Sequence, residues 1–242
     1  MYEDFDCIAL RTVPYDDTRA IVTVWTRQRG RMSLIVPAGG GKEARRHRAL
    51  MMPLSGFSGC IDLRPGRDIF SIRDVRPIGV HTDIACDPAK GLVAMFLGEV
   101  LERVLRINVR DELLTDYILG ATDVLDALRT NRGTSNFAPV FLCKLMRFAG
   151  IEPDWGSYAP GMVFDMQGGV FRLLPPSDSR WLAADEARLA DMLGRMKWGV
   201  IERVALSREA RRCMLSRLLE YYTLHGFNLS GLRSLDVAME IF

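Results

Sequence analysis

Across the first 80 residues the apolar side chains come in short β-branched runs broken by turn residues, and from Asp87 onward they recur every three or four positions. A strand repeats every two residues and a helix every 3.6, so a single change of period predicts a β part followed by a helical part. Phe5 to Val13, Thr18 to Arg27, Met32 to Val36, Leu50 to Leu63 and Ile69 to Val75 read as strands. Pro14, Gln28-Arg29-Gly30 and Pro37-Ala38-Gly39-Gly40-Gly41 punctuate them. Five strands with no convincing long helix among them suit a small antiparallel barrel, closed or nearly so, whose loops carry function.

In the second part, Val93, Phe96, Leu97, Val100, Leu101 and Val104 share one helical face, and Glu99, Glu102, Arg103 and Arg106 take the other. Asp111 to Arg129 repeats the pattern with Leu114, Tyr117, Ile118, Ala121, Leu125 and Leu128. Further helices fit Asn136 to Ala149, Ala183 to Lys197, and Ser207 to His225, the last with Ser207 as its N-cap and Gly226 beyond its end. Val163 to Leu174 departs from the helical period and reads as a hairpin, because Gly168-Gly169 accepts the positive φ of a tight turn. The expected class is α+β: a five-stranded barrel over residues 1–80, then an all-α helical bundle over 81–242 holding a small β-hairpin near 163–174. Only Pro77 and Gly79 punctuate the boundary, which is too short for a flexible linker.

Charge is unevenly placed. The whole chain carries +2, yet 13 Lys/Arg face 9 Asp/Glu before residue 80, and between Arg19 and Arg48 eight Lys/Arg (Arg19, Arg27, Arg29, Arg31, Lys42, Arg45, Arg46, Arg48) face Glu43 alone. Like charges at this density repel, so a sequence that concentrates them points to a polyanion or to a broad solvated surface. A barrel with a basic face suits single-stranded nucleic acid, where cations follow phosphates and an aromatic ring offers a stacking face. Trp25, alternating with Val24 and Thr26, is the candidate stacking residue; the competing reading is a half-buried core tryptophan. Two weaker basic groups follow. Arg203, Arg208, Arg211, Arg212 and Arg217 stand against Glu209 at the start of a helix, as exposed face or as added anion surface. Arg132, Lys144 and Arg147 lie near Phe137, Phe141 and Leu145, a composition that would receive an acidic-then-apolar peptide tail.

Enzyme motifs are missing where they would be sought. Gly39-Gly40-Gly41-Lys42 is not a phosphate loop, since Val36 and Glu43 occupy the positions that need Gly and Ser or Thr. His47, His81 and His225 have no ligand-spaced partners, and no GxSxG occurs. Five scattered cysteines without a CxxC argue for buried free thiols rather than disulfides. The acidic N-terminus and the absence of an apolar run near 18 residues indicate a cytoplasmic protein without membrane attachment.

The segment Asp16-Asp17-Thr18-Arg19-Ala20-Ile21-Val22-Thr23-Val24-Trp25-Thr26-Arg27, then Arg29-Gly30-Arg31, the Gly-rich turn into basic residues, and Leu50-Met51-Met52-Pro53-Leu54, resembles the N-terminal barrel of the RecO family of bacterial recombination mediators. Phe141-Leu-Cys-Lys-Leu-Met-Arg-Phe-Ala-Gly150-Ile-Glu-Pro153 and Leu232-Arg-Ser-Leu235 look like the family's helical domain, so the resemblance spans nearly the whole chain. It implies an OB-fold barrel, no catalytic centre, binding of single- and double-stranded DNA, and strand annealing. It further implies engagement of the C-terminal tail of single-strand-binding protein and cooperation with RecR in loading RecA. The family's DNA-contacting basic loop falls on Lys42, Arg45, Arg46 and Arg48, with Arg27 and Arg31 on adjoining strands. Many members also carry a four-cysteine zinc site around the hairpin, and here Asp154-Trp155-Gly156-Ser157-Tyr158 stands in its place without cysteines. No metal is expected; apolar packing by Trp155, Tyr158, Phe164 and Phe171 would take over its stabilising role. The alternative from another class is a non-enzymatic interaction scaffold or an RNA-binding module.

Overall fold

The computed structural model describes residues 2–105, 109–174, 177 and 180–241, with Glu43 described by its backbone alone. Arg106, assigned above to a polar helix face, lies outside the described residues. Strands β1 (Tyr2–Pro14), β2 (Arg19–Thr26), β3 (Gly30–Pro37), β4 (Gly56–Asp62) and β5 (Ile69–Ile78) close into a barrel in the order β1-β2-β3-β5-β4. Neighbouring pairs are antiparallel except β3 with β5, which run parallel, and β4 closes the barrel against β1. With helix α1 (Lys42–Leu50) between β3 and β4, this is an OB-fold.

Strand alternation sets two buried faces. Phe5, Cys7, Ala9, Val22, Val24, Leu34, Phe57 and Ile61 point inward and fill the barrel. Ile8, Leu10 and Trp25 alternate with them and point outward, yet each is about as buried at 1% exposure. Helices cover them. After the short α2 (Thr82–Cys86), α3 (Pro88–Val104) lies so close to β1 that a Cβ on Gly98 would stand 2.3 Å from the Leu10 carbonyl oxygen. α4 (Glu112–Ala127) places Thr115 Oγ1 2.9 Å from the Trp25 indole Nε1, which donates to it. Burying three such side chains contributes about 1.5–3 kcal/mol each. Residues 1–127 accordingly form one compact unit and residues 128–242 a second. The change of period near residue 80 marks the end of the strands, while the division between compact units falls after Ala127.

In the second unit α5 (Asn131–Ala149) is the central helix, with Phe137, Phe141, Leu142 and Leu145 all fully buried. It begins five residues before the expected Asn136, because Thr130 accepts a hydrogen bond from Gly133 N at 3.1 Å and caps the earlier turn. α6 (Ala184–Arg195), a 3₁₀ turn at Trp198–Val200, α7 (Arg208–Leu224) and α8 (Leu235–Ile241) follow. Ser207 caps α7 as expected, accepting from Ala210 N at 3.1 Å. The hairpin is present as β6 (Val163–Asp165) and β7 (Val170–Arg172), joined by a third strand β8 (Trp181–Leu182) on the far side of β6. Gly169 takes φ +64°, and the Asp165 carboxylate accepts from Gln167 N and Gly168 N, both at 3.1 Å. That aspartate, a turn former two and three residues ahead of the amides it binds, is the residue the glycine pair concealed.

Candidate nucleic-acid interface

The basic residues after the glycine run form a helix rather than the expected loop. Lys-Glu-Ala-Arg-Arg-His-Arg-Ala-Leu holds mostly strong helix formers, and Gly41 serves as the extended N-cap that ends the irregular stretch. Ala44, His47 and Met51 recur at helical spacing and are buried, with Met51 part of the barrel-filling cluster, so α1 plugs one end of the barrel. Lys42, Arg45 and Arg46 point away from that face, Arg48 lies at its flank, and all four are exposed. Two of them are tethered: Arg46 Nη2 donates to the Val75 carbonyl at 2.9 Å, and Arg48 Nη1 to the Ala38 carbonyl at 3.2 Å. Main-chain carbonyls neutralise no charge, and among the described residues no carboxylate forms an ion pair with any of the four.

The tethers fix what surrounds the helix. On one side Val75 adjoins the exposed Arg76 of β5. On the other, Ala38 N donates to the Thr18 carbonyl at 2.7 Å, which joins α1 to the β1–β2 turn carrying Tyr15, Asp16 and Arg19. Arg19 is paired with Asp16, Nε to Oδ2 at 2.7 Å. That pairing and the Thr18 amide hold the Asp16 carboxyl down at about 2.

The remaining members of the expected set are elsewhere or differently engaged. Arg27 and Arg29 sit at the β2–β3 turn, roughly 25 Å along the strand from Arg19 at about 3.3 Å per residue. Arg27 pairs with Asp116 at 2.7 Å and Asp6 at 3.5 Å, which raises its pKa, and Arg29 pairs with Glu3 at 3.3 Å. Arg31 is half-buried and donates to the Glu102 carbonyl. Arg29 and Arg31 border a separate cleft of about 540 Å³ on the outer face of β2 and β3, with Thr23, Ser33, Arg67 and Phe70 in its walls and Asp68 and Glu102 opposing the cations. Trp25 is no stacking platform: at 1% exposure under α4 it cannot meet a base. Its outward register was legible, but the helix covering that face comes from 90 residues away.

In the second unit, Phe141 is fully buried in α5, as are Phe137 and Leu145, so these side chains are core and not the walls of a tail pocket. Arg132 and Arg147 are exposed, and Lys144 is half-buried with Nζ 5.7 Å over the Trp198 ring, its pKa lowered by desolvation. The later arginine cluster has internal work. Arg208 donates to the Glu240 carbonyl at 2.7 Å and Arg212 to the Met239 carbonyl at 2.6 Å, so cations that oppose the α7 dipole satisfy the C-terminal end of α8. Arg217 pairs with Glu186 at 3.1 Å and Glu220 at 3.2 Å. Among the described residues no three His, Cys, Asp or Glu side chains converge at metal-binding geometry.

Comparison with known proteins gives a consistent answer along the chain. Residues 1–81 match the family model described as Recombination protein O N terminal, and residues 86–235 match Recombination protein O C terminal. The chain is 33% identical over 235 residues to the DNA repair protein RecO of Phocaeicola vulgatus, covering 97% of both proteins. It is 33% identical over 236 residues to that of Bacteroides fragilis and 28% identical over 240 residues to that of Porphyromonas gingivalis W83, again covering 97% of each protein. An OB-fold barrel followed by a helical region with a small sheet, matched end to end in this way, places the chain in the RecO family of DNA repair proteins.

Proposed function

We propose that this protein is a non-enzymatic mediator of recombinational DNA repair that binds single- and double-stranded DNA through the exposed face of α1. The observation that carries this reading is the unpaired cationic face of that helix: Lys42, Arg45, Arg46 and Arg48 project together from the plug of the barrel with no carboxylate partner among the described residues. Such a surface follows phosphates and reads no base edges, so its affinity is independent of sequence and falls with salt as counterions are no longer released at a gain. Holding two strands on one cationic surface lowers their mutual repulsion, which is the physical basis for annealing. In the cytoplasm the protein acts with RecR and with the tail of single-strand-binding protein to load RecA; exposed Arg132 and Arg147 with Lys144 are the cations available to an acidic tail on α5.

Lys42→Glu with Arg45→Glu tests the helix cleanly. Both positions lie near its start, where an acid favours the dipole, so the helix stays folded while two cations become anions. Affinity for duplex should fall at every sequence, and the slope of log K against log salt should shrink by about 0.9 for each phosphate that is no longer neutralised. Unchanged affinity and slope would remove α1 from the interface.

A further inference from the structure

The α1 surface has an aromatic neighbour that strand alternation did not reveal. Tyr15, in the β1–β2 turn, is 56% exposed and its hydroxyl makes no hydrogen bond among the described residues. It neither fills the core nor satisfies a buried polar group. The turn positions it firmly: Tyr15 N donates to the Arg19 carbonyl at 3.0 Å, and the Arg19 guanidinium lies 5.2 Å from the ring centroid on one side. Asp16 fixes that guanidinium in turn. Through Thr18, Ala38 and Arg48 the same turn is hydrogen-bonded to the cationic helix.

Resting on the DNA-binding reading above, we infer that Tyr15 is the base-stacking residue of this surface, and that it selects nucleic acid with unpaired bases over closed duplex. One ring face meets Arg19, and the ring's remaining exposed surface is open to a base. A base there brings its flanking phosphates toward the cationic helix to which the turn is hydrogen-bonded. A duplex keeps its bases stacked on each other and presents only phosphates, to which α1 responds and Tyr15 does not. Stacking of this kind is sequence-tolerant, since every base has a π-face.

Three probes separate the contributions: an oligo-dT, an abasic oligomer of equal length, and a blunt duplex, each titrated by fluorescence anisotropy. Tyr15→Ala should weaken oligo-dT binding roughly tenfold, as removing one stacking partner does, and leave the abasic oligomer and the duplex within about twofold. Tyr15→Phe should retain wild-type behaviour. Tyr2→Ala is the matched control, because Tyr2 is also exposed and stacks on an arginine, Arg73 at 3.7 Å, but lies at the other end of β1. Equal weakening of all three probes by Tyr15→Ala, no weakening of oligo-dT, or the same selectivity change from Tyr2→Ala would each overturn the assignment. The Lys42→Glu, Arg45→Glu variant should weaken all three. If it does not, the α1 reading fails, which is a different result from a Tyr15 failure on an intact α1 response.

Discussion

At the scale of single residues, pairing decides which charges are available. Arg19, Arg27 and Arg29 each have a carboxylate within 3.5 Å, and Lys42, Arg45, Arg46 and Arg48 have none among the described residues. The Arg19–Asp16 pair has a measurable signature. Because the Asp16 pKa in the folded chain is lowered to about 2 from an ordinary 3.8, the stability it gives the turn is complete above the ordinary value and is lost as pH falls through about 2. A two-dimensional NMR titration should therefore find the Asp16 midpoint near 2, returning toward the ordinary carboxylate range in Arg19→Gln. A midpoint that stays low without the arginine would assign the shift to Thr18, whose amide and hydroxyl both donate to the carboxylate. The run of cations was plain in the sequence, but its division was not. Asp116, the partner of Arg27, stands 89 residues away, and no local pattern announces it.

At the scale of elements, the five strands were legible from alternation and turn residues, and so were the longer helices from their period. α1 was missed because the glycines before it read as the start of a long loop, although its own residues favour a helix. α2 and α8 are too short to show a period. β8 contributes only two residues, which no periodicity can detect. The aromatic cluster expected in place of the family's zinc site is assembled in space: Trp155 lies 6.2 Å from Phe164, and Phe171 lies 5.0 Å from Phe164 and 5.4 Å from Tyr158. α6 accommodates the indole at Gly194, where a Cβ would stand 2.3 Å from Trp155 Cδ2. Trp155→Ala should cost about 3–5 kcal/mol by emptying that space. Gly194→Ala should cost about 1–3 kcal/mol by overfilling it. Both are read from denaturant unfolding of the full chain. If the rings rather than a metal hold this sheet, a chelator should leave the wild-type transition in place and elemental analysis should find no stoichiometric zinc.

At the scale of the whole molecule, the barrel and the three helices after it depend on one another. A fragment ending at residue 80 would leave Ile8, Leu10 and Trp25 facing water, forfeiting about 1.5–3 kcal/mol for each. A chain of residues 1–127 keeps that cover. The shorter fragment should therefore be poorly soluble or lack a cooperative melt, and the longer one should unfold in a single transition and retain salt-sensitive DNA binding, as followed by circular dichroism and anisotropy. A stable, DNA-competent 1–80 fragment would show that the helical cover is dispensable. The change of period near residue 80 ends the strands, and the hydrogen bond from Trp25 to Thr115 joins the two sides of it.

The two carbonyl tethers on α1 bear on how the helix would meet a ligand. Arg46 and Arg48 each use one guanidinium donor to grip the backbone of a neighbouring segment, and the guanidinium's other donors remain for a second partner. Their long side chains are thus already steadied before any phosphate arrives, so less rotational freedom is surrendered on binding. Lysine at the same positions would preserve the positive field while losing the planar, multi-donor head that grips protein and phosphate together.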